Sequence, residues 1–264
     1  MEQKDLAIGV FDSGVGGISV LRELVALMPQ ENYIYFGDSK NAPYGTKTLE
    51  EVQKLTMADA AYLREQGVKA LVVACNTATS AAIDLLRETY QDIPVIGIEP
   101  ALKPAVQMGE HPRVLVMATP MTLREEKFHH LMEQHRTEAE ILSLPCPGLV
   151  EFVEHGELDG AELEQFLKEL FQTYQSDPVD GVVLGCTHYP LVKEMIQSAL
   201  GENVKIFDGG AGTARETRRR LQEKNLLKSE GKKGNVKFEN SLGTPEILEL
   251  CRYLLDHKPN TKKI

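Results

Sequence analysis

Two stretches of this 264-residue chain repeat one plan, and the repeat limits the folds open to it. Ala70-Leu71-Val72-Val73-Ala74 runs into Cys75-Asn76-Thr77, and Gly181-Val182-Val183-Leu184-Gly185 runs into Cys186-Thr187-His188, the two cysteines lying 111 residues apart. Apolar residues at helical spacing follow each thiol: Ala81, Ala82, Leu85 and Leu86 after the first, Leu191, Val192, Met195, Ile196, Ala199 and Leu200 after the second. A short apolar run that gives way to a 3.6-residue period reads as strand, turn and helix. The plan sets two thiols at the carboxyl ends of two buried strands, each beside a helix N-terminus, the edge at which open α/β sheets bind ligands. Two equivalent thiols facing one pocket fit chemistry that treats two faces of a substrate alike.

Strand-like and helix-like segments alternate along almost the whole chain, which predicts parallel sheets covered by helices. The expected fold class is α/β, with two similar parallel-sheet lobes related by a pseudo-twofold axis and the active site in the cleft between them. Residues 1–98 with 208–264 form the first lobe in this reading, and residues 99–207 the second. Helices are expected over 77–90, 121–135, 160–174 and 189–200. A long amphipathic helix and a polar tail are expected after the glycine-rich turn at Asp208.

The net charge of −10 argues against a general nucleic-acid binder. The charge is uneven: residues 209–264 carry 13 Lys/Arg against 7 Asp/Glu, and the Arg215, Arg218, Arg219, Arg220 cluster reads as a solvated helix face. No signal peptide and no run of membrane-spanning length is present in the sequence. The cysteines at 75, 146, 186 and 251 have no metal-ligand spacing and are expected to stay reduced in a cytoplasm. Cys251 reads as a small core hydrophobe and Cys146 stands alone between two prolines. His129, His130 and His135 fall on a helix face, no Walker-type loop occurs, and no lysine sits in a context that calls for pyridoxal phosphate. No cofactor and no metal are expected.

Four segments offer chemistry. The turn Asp12-Ser13-Gly14-Val15-Gly16-Gly17 follows a strand; its glycines free backbone N–H groups for an anion, and Asp12 and Ser13 serve either as helix caps or as site residues. In the loop 38–46, Pro43 and Gly45 fix a turn, and Tyr44 offers a hydroxyl or a cover for a small ligand; a plain turn is the simpler reading. Asn76, Thr77 and Thr187 are natural helix caps and equally donors for a carboxylate resting on a helix N-terminus. A free thiol has a pKa of about 8.5, and a helix N-terminus or a cation lowers it, so Cys75 and Cys186 are candidate bases near neutral pH. His188 is placed to pair with Cys186 or with a substrate. Asp12 and Glu154 are candidates to assist one thiol each.

Five motifs in this order, GVFDSGVGG from Gly9, GDSKNAPYG from Gly37, ACNTAT from Ala74, CPGLVEFVEHG from Cys146 and LGCTHYPL from Leu184, give the chain a specific likeness. Across essentially its whole length it resembles the glutamate racemases of the cofactor-independent aspartate/glutamate racemase superfamily. The resemblance implies interconversion of L- and D-glutamate for peptidoglycan synthesis. It implies that Cys75 and Cys186 are the catalytic acid/base pair, helped by Asp12, Glu154 and His188. It carries over Asp12, Ser13, Pro43, Tyr44, Gly45, Asn76, Thr77, Thr119, Thr187 and His188 as substrate contacts. Expected partners are therefore glutamate and a second copy in a homodimer, in the cytoplasm, with no nucleic acid and no membrane. A racemase of the same superfamily acting on aspartate is the nearest rival. A two-lobed amino-acid-binding protein would need neither thiol, and a dithiol redox enzyme would leave no room for substrate between them.

Overall fold

The computed structural model describes residues 2–229 and 231–256, so residues 1, 230 and 257–264, the last being the end of the expected first-lobe extension, lie outside it. The first sheet grows around β1 (Ile8–Asp12), buried along its whole length. Strands covered on both faces read as unbroken apolar runs, and β1 and β3 (Ala70–Val73) do so. β2 (Tyr33–Gly37) and β4 (Val95–Gly97) extend the sheet on either side. β5 (Arg113–Ala118), β6 (Glu140–Pro145), β7 (Gly181–Leu184) and β8 (Lys205–Asp208) form the second sheet, and β9 (Val236–Asn240) returns to the first. All pairings are parallel, in the orders β4-β3-β1-β2-β9 and β6-β5-β7-β8. Read from matching edges, β4-β3-β1-β2 and β8-β7-β5-β6 are one order used twice.

Between the strands run α1 (Ile18–Leu27), α2 (Leu49–Glu65), α3 (Asn76–Thr89), α4 (Leu102–Val106), α5 (Pro120–Arg124), α6 (Glu126–Gln134), α7 (Leu149–Glu154), α8 (Ala161–Leu170), α9 (Gln172–Ser176) and α10 (Lys193–Leu200). α11 (Gly210–Glu223) and α12 (Pro245–Asp256) follow, and both pack on α1. α2 opens with a full capping box: Glu51 N–H donates to Thr48 Oγ1 and Thr48 N–H donates to the Glu51 carboxylate.

Three expected helices are broken. The one over 121–135 is two helices, because Glu125 is extended at ψ 137° and each half starts afresh. The one over 160–174 divides at Phe171. The one over 189–200 begins as a 3-10 turn, Tyr189–Val192, with Pro190 in its first turn, and becomes α-helical at Lys193. β9 replaces part of the expected polar tail; its alternation of Val236 and Phe238 with Lys237 and Glu239 suits an edge strand. Arg219 and Arg220 pair with Glu216 on the exposed side of α11, a solvated face as expected.

The doubled strand order places the two cysteines in matching positions. Ala74 N–H donates to Phe11 O (2.8 Å) as β3 leaves β1, and Gly185 N–H donates to Met117 O (2.7 Å) as β7 leaves β5. One residue later the chain reaches Cys75 in the first sheet and Cys186 in the second.

Candidate active site

Register carries Cys75 to Ser13, the residue just beyond β1. The Cys75 thiol donates to Ser13 Oγ at 3.4 Å and accepts from Ala78 N–H at 3.4 Å, so Cys75 itself caps α3. This cap was expected of Asn76 or Thr77. Burial pushes the thiol up, the Asp12 charge adds to that, and the two hydrogen bonds offset only part of it; the outcome is about 12. The expected activation by a helix N-terminus is therefore outweighed in the chain alone.

Cys186 has different company. Its Sγ lies 3.6 Å from His188 Nδ1, and His188 Nε2 meets Glu154 Oε1 at 2.6 Å. Burial on its own would lower the His188 pKa, but the hydrogen bonds to Cys186 and Glu154, with their charges, hold it well above the ordinary value. Glu154 is the mirror case: burial raises it, and the His188 bond and charge, the Val15 N–H and the Ser39 hydroxyl bring it below the usual carboxylate range. Glu154 ends α7, which turns it toward the first lobe, where Val15 N–H donates to Oε1 (2.6 Å) and Ser39 Oγ to Oε2 (2.8 Å). Sequence reasoning assigned one carboxylate to each thiol; the structure gives Glu154 to Cys186 through His188.

Asp12 stands between the two halves. It is fully buried, accepts from Gly14 N–H (3.1 Å) and accepts from Thr187 Oγ1 (3.0 Å). Burial raises its pKa, with His188 and Thr187 opposing. Ser19 Oγ also donates to Thr187 O at 2.8 Å. The glycines of the turn make this approach possible: a Cβ on Gly14 would stand 1.9 Å from Glu154 Oε1, and one on Gly16 would stand 2.3 Å from His188 Nδ1.

A second set of contacts joins the segments around α3 and α5. Thr77 and Thr119 hydroxyls meet at 3.0 Å, each also within 3.2 Å of Thr122. Gly45 is pressed on the same place, its missing Cβ position lying 2.5 Å from Thr119 Cβ. Tyr44 differs from expectation: its ring is buried and its hydroxyl points inward to Asp38 (2.7 Å) and Asp59 (2.9 Å). Pro43 and Gly45 are left to offer backbone. Neither amide atom of Asn76 has a hydrogen-bond partner among the described residues, though both are buried beside Cys75. Asn76 also lines a cavity of about 530 Å³ between α3 and α6.

Most of the expected positions lie at or just beyond strand ends of the two sheets; Glu154 reaches them from the end of α7, and the Tyr44 hydroxyl is turned away. The structure adds Ser19, Ser39 and Thr122, and the main-chain N–H of Val15. Ser39 and Val15 lie within motifs of the sequence; Ser19 and Thr122 became visible only when the lobes came together. Among the described residues no cluster of three or more His, Cys, Asp or Glu is arranged to hold a metal ion, and no helix is long and apolar enough to cross a membrane.

The chain is similar to known proteins over nearly its full length. Residues 8–217 match the Asp/Glu/hydantoin racemase family. A glutamate racemase of Clostridium botulinum is 56% identical over 256 residues, which cover 97% of this chain and 99% of that protein. The glutamate racemase of Francisella tularensis, solved in complex with D-glutamate, superposes with a TM-score of 0.82 at 31% identity, covering 97% of this chain and 96% of that one. The Escherichia coli glutamate racemase, in complex with L-glutamate and the activator UDP-MurNAc-Ala, superposes with a TM-score of 0.83 at 32% identity, covering 95% and 94%.

Proposed function

The chain belongs to the Asp/Glu/hydantoin racemase family, and on that premise we propose that it interconverts L- and D-glutamate with Cys75 and Cys186 as the acid/base pair. The observation that carries the proposal is the pairing of equivalent strand ends, each bearing a buried thiol with its own polar partner: Ser13 for Cys75, His188 for Cys186. Inverting a stereocentre is simplest with a base on one face and an acid on the other. One thiolate removes the α-proton, the opposite thiol returns one, and the duplicated strand order supplies two faces.

The α-proton of an amino acid is far less acidic than either thiol, so donors must stabilise the carbanion as it forms. The unpartnered Asn76 amide, the Ser13, Thr77, Thr119 and Thr187 hydroxyls and the backbone at Pro43 and Gly45 are the groups we assign to the substrate. A bound α-ammonium brings positive charge next to Cys75 and favours its thiolate, offsetting the burial that holds it up at about 12. His188, backed by Glu154, stands 3.6 Å from the Cys186 sulfur, within reach of its proton. Each turnover then starts with one sulfur as thiolate and the opposite one as thiol, and ends with the two roles exchanged.

The same reading takes residues 1–98 with 208–264 as one lobe, of which 257–264 lie outside the described residues, and 99–207 as the other, with a homodimer in the cytoplasm and delivery of D-glutamate to peptidoglycan synthesis. Free cysteines throughout agree with a reducing compartment. The test is incubation of the purified protein with L-glutamate and nothing else, followed by chiral analysis. Accumulation of D-glutamate toward an even mixture supports the proposal; L-glutamate unchanged, with L-aspartate racemised instead, would transfer it to the aspartate alternative.

A further inference from the structure

The Tyr44 phenol faces more acceptors than it has protons. Its hydroxyl lies 2.7 Å from Asp38 Oδ2 and 2.9 Å from Asp59 Oδ2, and a phenol donates one hydrogen. Asp38 is already committed as an acceptor, because Asn41 Nδ2 donates to both of its oxygens at 3.0 Å. All three groups are buried. With both carboxyl groups charged, one of the two short contacts would set lone pair against lone pair away from water, at a cost no buried polar group bears without a partner. One further proton resolves the arrangement: Asp59 donates to Tyr44, and Tyr44 donates to Asp38.

Resting on the racemase reading above, we infer that Asp59 is a positioning residue that works in its protonated form, anchoring the Pro43–Gly45 segment against Thr119 through the Tyr44 hydroxyl. Tyr44 opens the 3-10 turn Tyr44–Thr46, and the next residue, Gly45, is the one in close approach to Thr119. Asp59 sits on α2, which the Thr48–Glu51 capping box fixes at its start. A chain of two hydrogen bonds therefore ties a substrate-facing turn to a rigid helix of the first lobe.

The surroundings favour the proton. Burial pushes the Asp59 carboxyl up to about 7, the Asp38 charge acts in the same sense, and the Tyr44 bond opposes them weakly. The apolar cluster around Tyr44 takes Phe11 from β1, Phe36 from β2, Ala78 and Ala82 from α3 and Met121 from α5; its other titratable members, Cys75 and Tyr90 at the two ends of α3, are not among the groups that act on Asp59. Asp38 and Tyr44 are the titratable groups that act on Asp59. As pH rises through about 7 Asp59 loses its proton, the anchor opens, and the turn is less well held for substrate.

The test compares the full-length protein with Asp59→Asn and Asp59→Leu. Infrared difference spectra between about pH 5.5 and 8.5 should show a carboxylic-acid carbonyl band in the parent that bleaches near neutrality and is missing in Asp59→Asn. The parent KM for L-glutamate should rise roughly twofold to tenfold over the upper half of that range, about the weight of one net hydrogen bond. Asp59→Asn, whose amide donates at every pH, should remove that rise relative to the parent. Asp59→Leu should raise KM throughout with kcat less affected. An absent carbonyl band overturns the inference, and so does an Asp59→Asn variant whose KM follows the parent's pH course. The infrared arm does not depend on turnover, so a failure of the racemase reading would show itself separately, as no D-glutamate from any variant.

Discussion

Glu154 Oε1 lies 2.6 Å from His188 Nε2 while the other ring nitrogen of His188 faces the Cys186 sulfur, so one imidazole joins a carboxylate to a thiol. The same Glu154 oxygen accepts from Val15 N–H of the opposite lobe. The ion pair that serves the second thiol is thus also a clamp between the lobes.

Glu154→Gln should lower kcat by roughly a hundredfold to a thousandfold, within the range of acid–base assistance, with KM changed less. It should also change stability with pH. His188 is raised, so its contribution is complete below about 6.5 and fades as pH rises through its folded value; Glu154 is lowered, so its contribution is complete above about 4.3 and fades as pH falls through its folded value. The difference in melting temperature between parent and Glu154→Gln should therefore be greatest between about pH 4.3 and 6.5, as calorimetry across pH would reveal. A difference independent of pH would mean that the pair is not charged.

Gly14→Ala and Gly16→Ala test the closeness of the lobes. Each Cβ would land on Glu154 or His188, and overpacking of this kind costs about 1–3 kcal/mol. Both variants should lose most activity and unfold at lower urea. Gly67→Ala is the contrast: its φ of 74° is strained for alanine, yet no atom lies within 4 Å, so it should lose stability while keeping its kcat.

Lys69 and Glu31 form a fully buried ion pair away from the site, with Lys69 Nζ also donating to Lys4 O and Lys228 N–H donating to Glu31. Lys69→Met should destabilise by about 3–5 kcal/mol, because it strands the Glu31 charge in the interior. Glu31→Gln added to Lys69→Met should recover part of that loss in denaturant titration. A double variant no more stable than the single would show that Glu31 does not bear the cost as a charge.

The thiols, Asp12, Ser13 and Thr119 were legible in the sequence because each stands at the end of a strand or just past it, and a strand between two neighbours has no freedom to move its last residue. Cys75 and Cys186 were doubly so, since both follow the same apolar run. What stayed hidden depends on docking. Nothing local says that Glu154 meets Val15 N–H, or that Tyr44 turns its hydroxyl inward to a residue on α2. β9 escaped notice because five residues of alternating pattern lie within a charged stretch, and only its pairing with β2 makes them a strand. The high pKa of Cys75 was hidden for a related reason: the helix N-terminus is a local feature, while the burial that outweighs it is created by the whole fold.

Cys75→Ala and Cys186→Ala should each abolish nearly all racemisation with the fold intact, since either change removes one of the two proton carriers. Cys251→Ala should be mild for catalysis, as that buried thiol packs among core residues under α1. Substantial turnover by either of the first two variants would remove that thiol from the mechanism.

The central claim is that each face of the substrate has its own thiol, and the early-time isotope content of product formed in heavy water tests it most directly. The family resemblance gives Cys186 the proton of L-glutamate and Cys75 the delivery that makes D-glutamate. The delivering thiol has exchanged with solvent before it acts. Newly formed D-glutamate should then carry deuterium at the α-carbon, while recovered L-glutamate stays mostly protonated, because Cys186 hands back the hydrogen it took. Mass spectrometry on the separated enantiomers reads both. D-Glutamate that keeps the substrate's own hydrogen would contradict the two-thiol account, even in a protein that racemises glutamate.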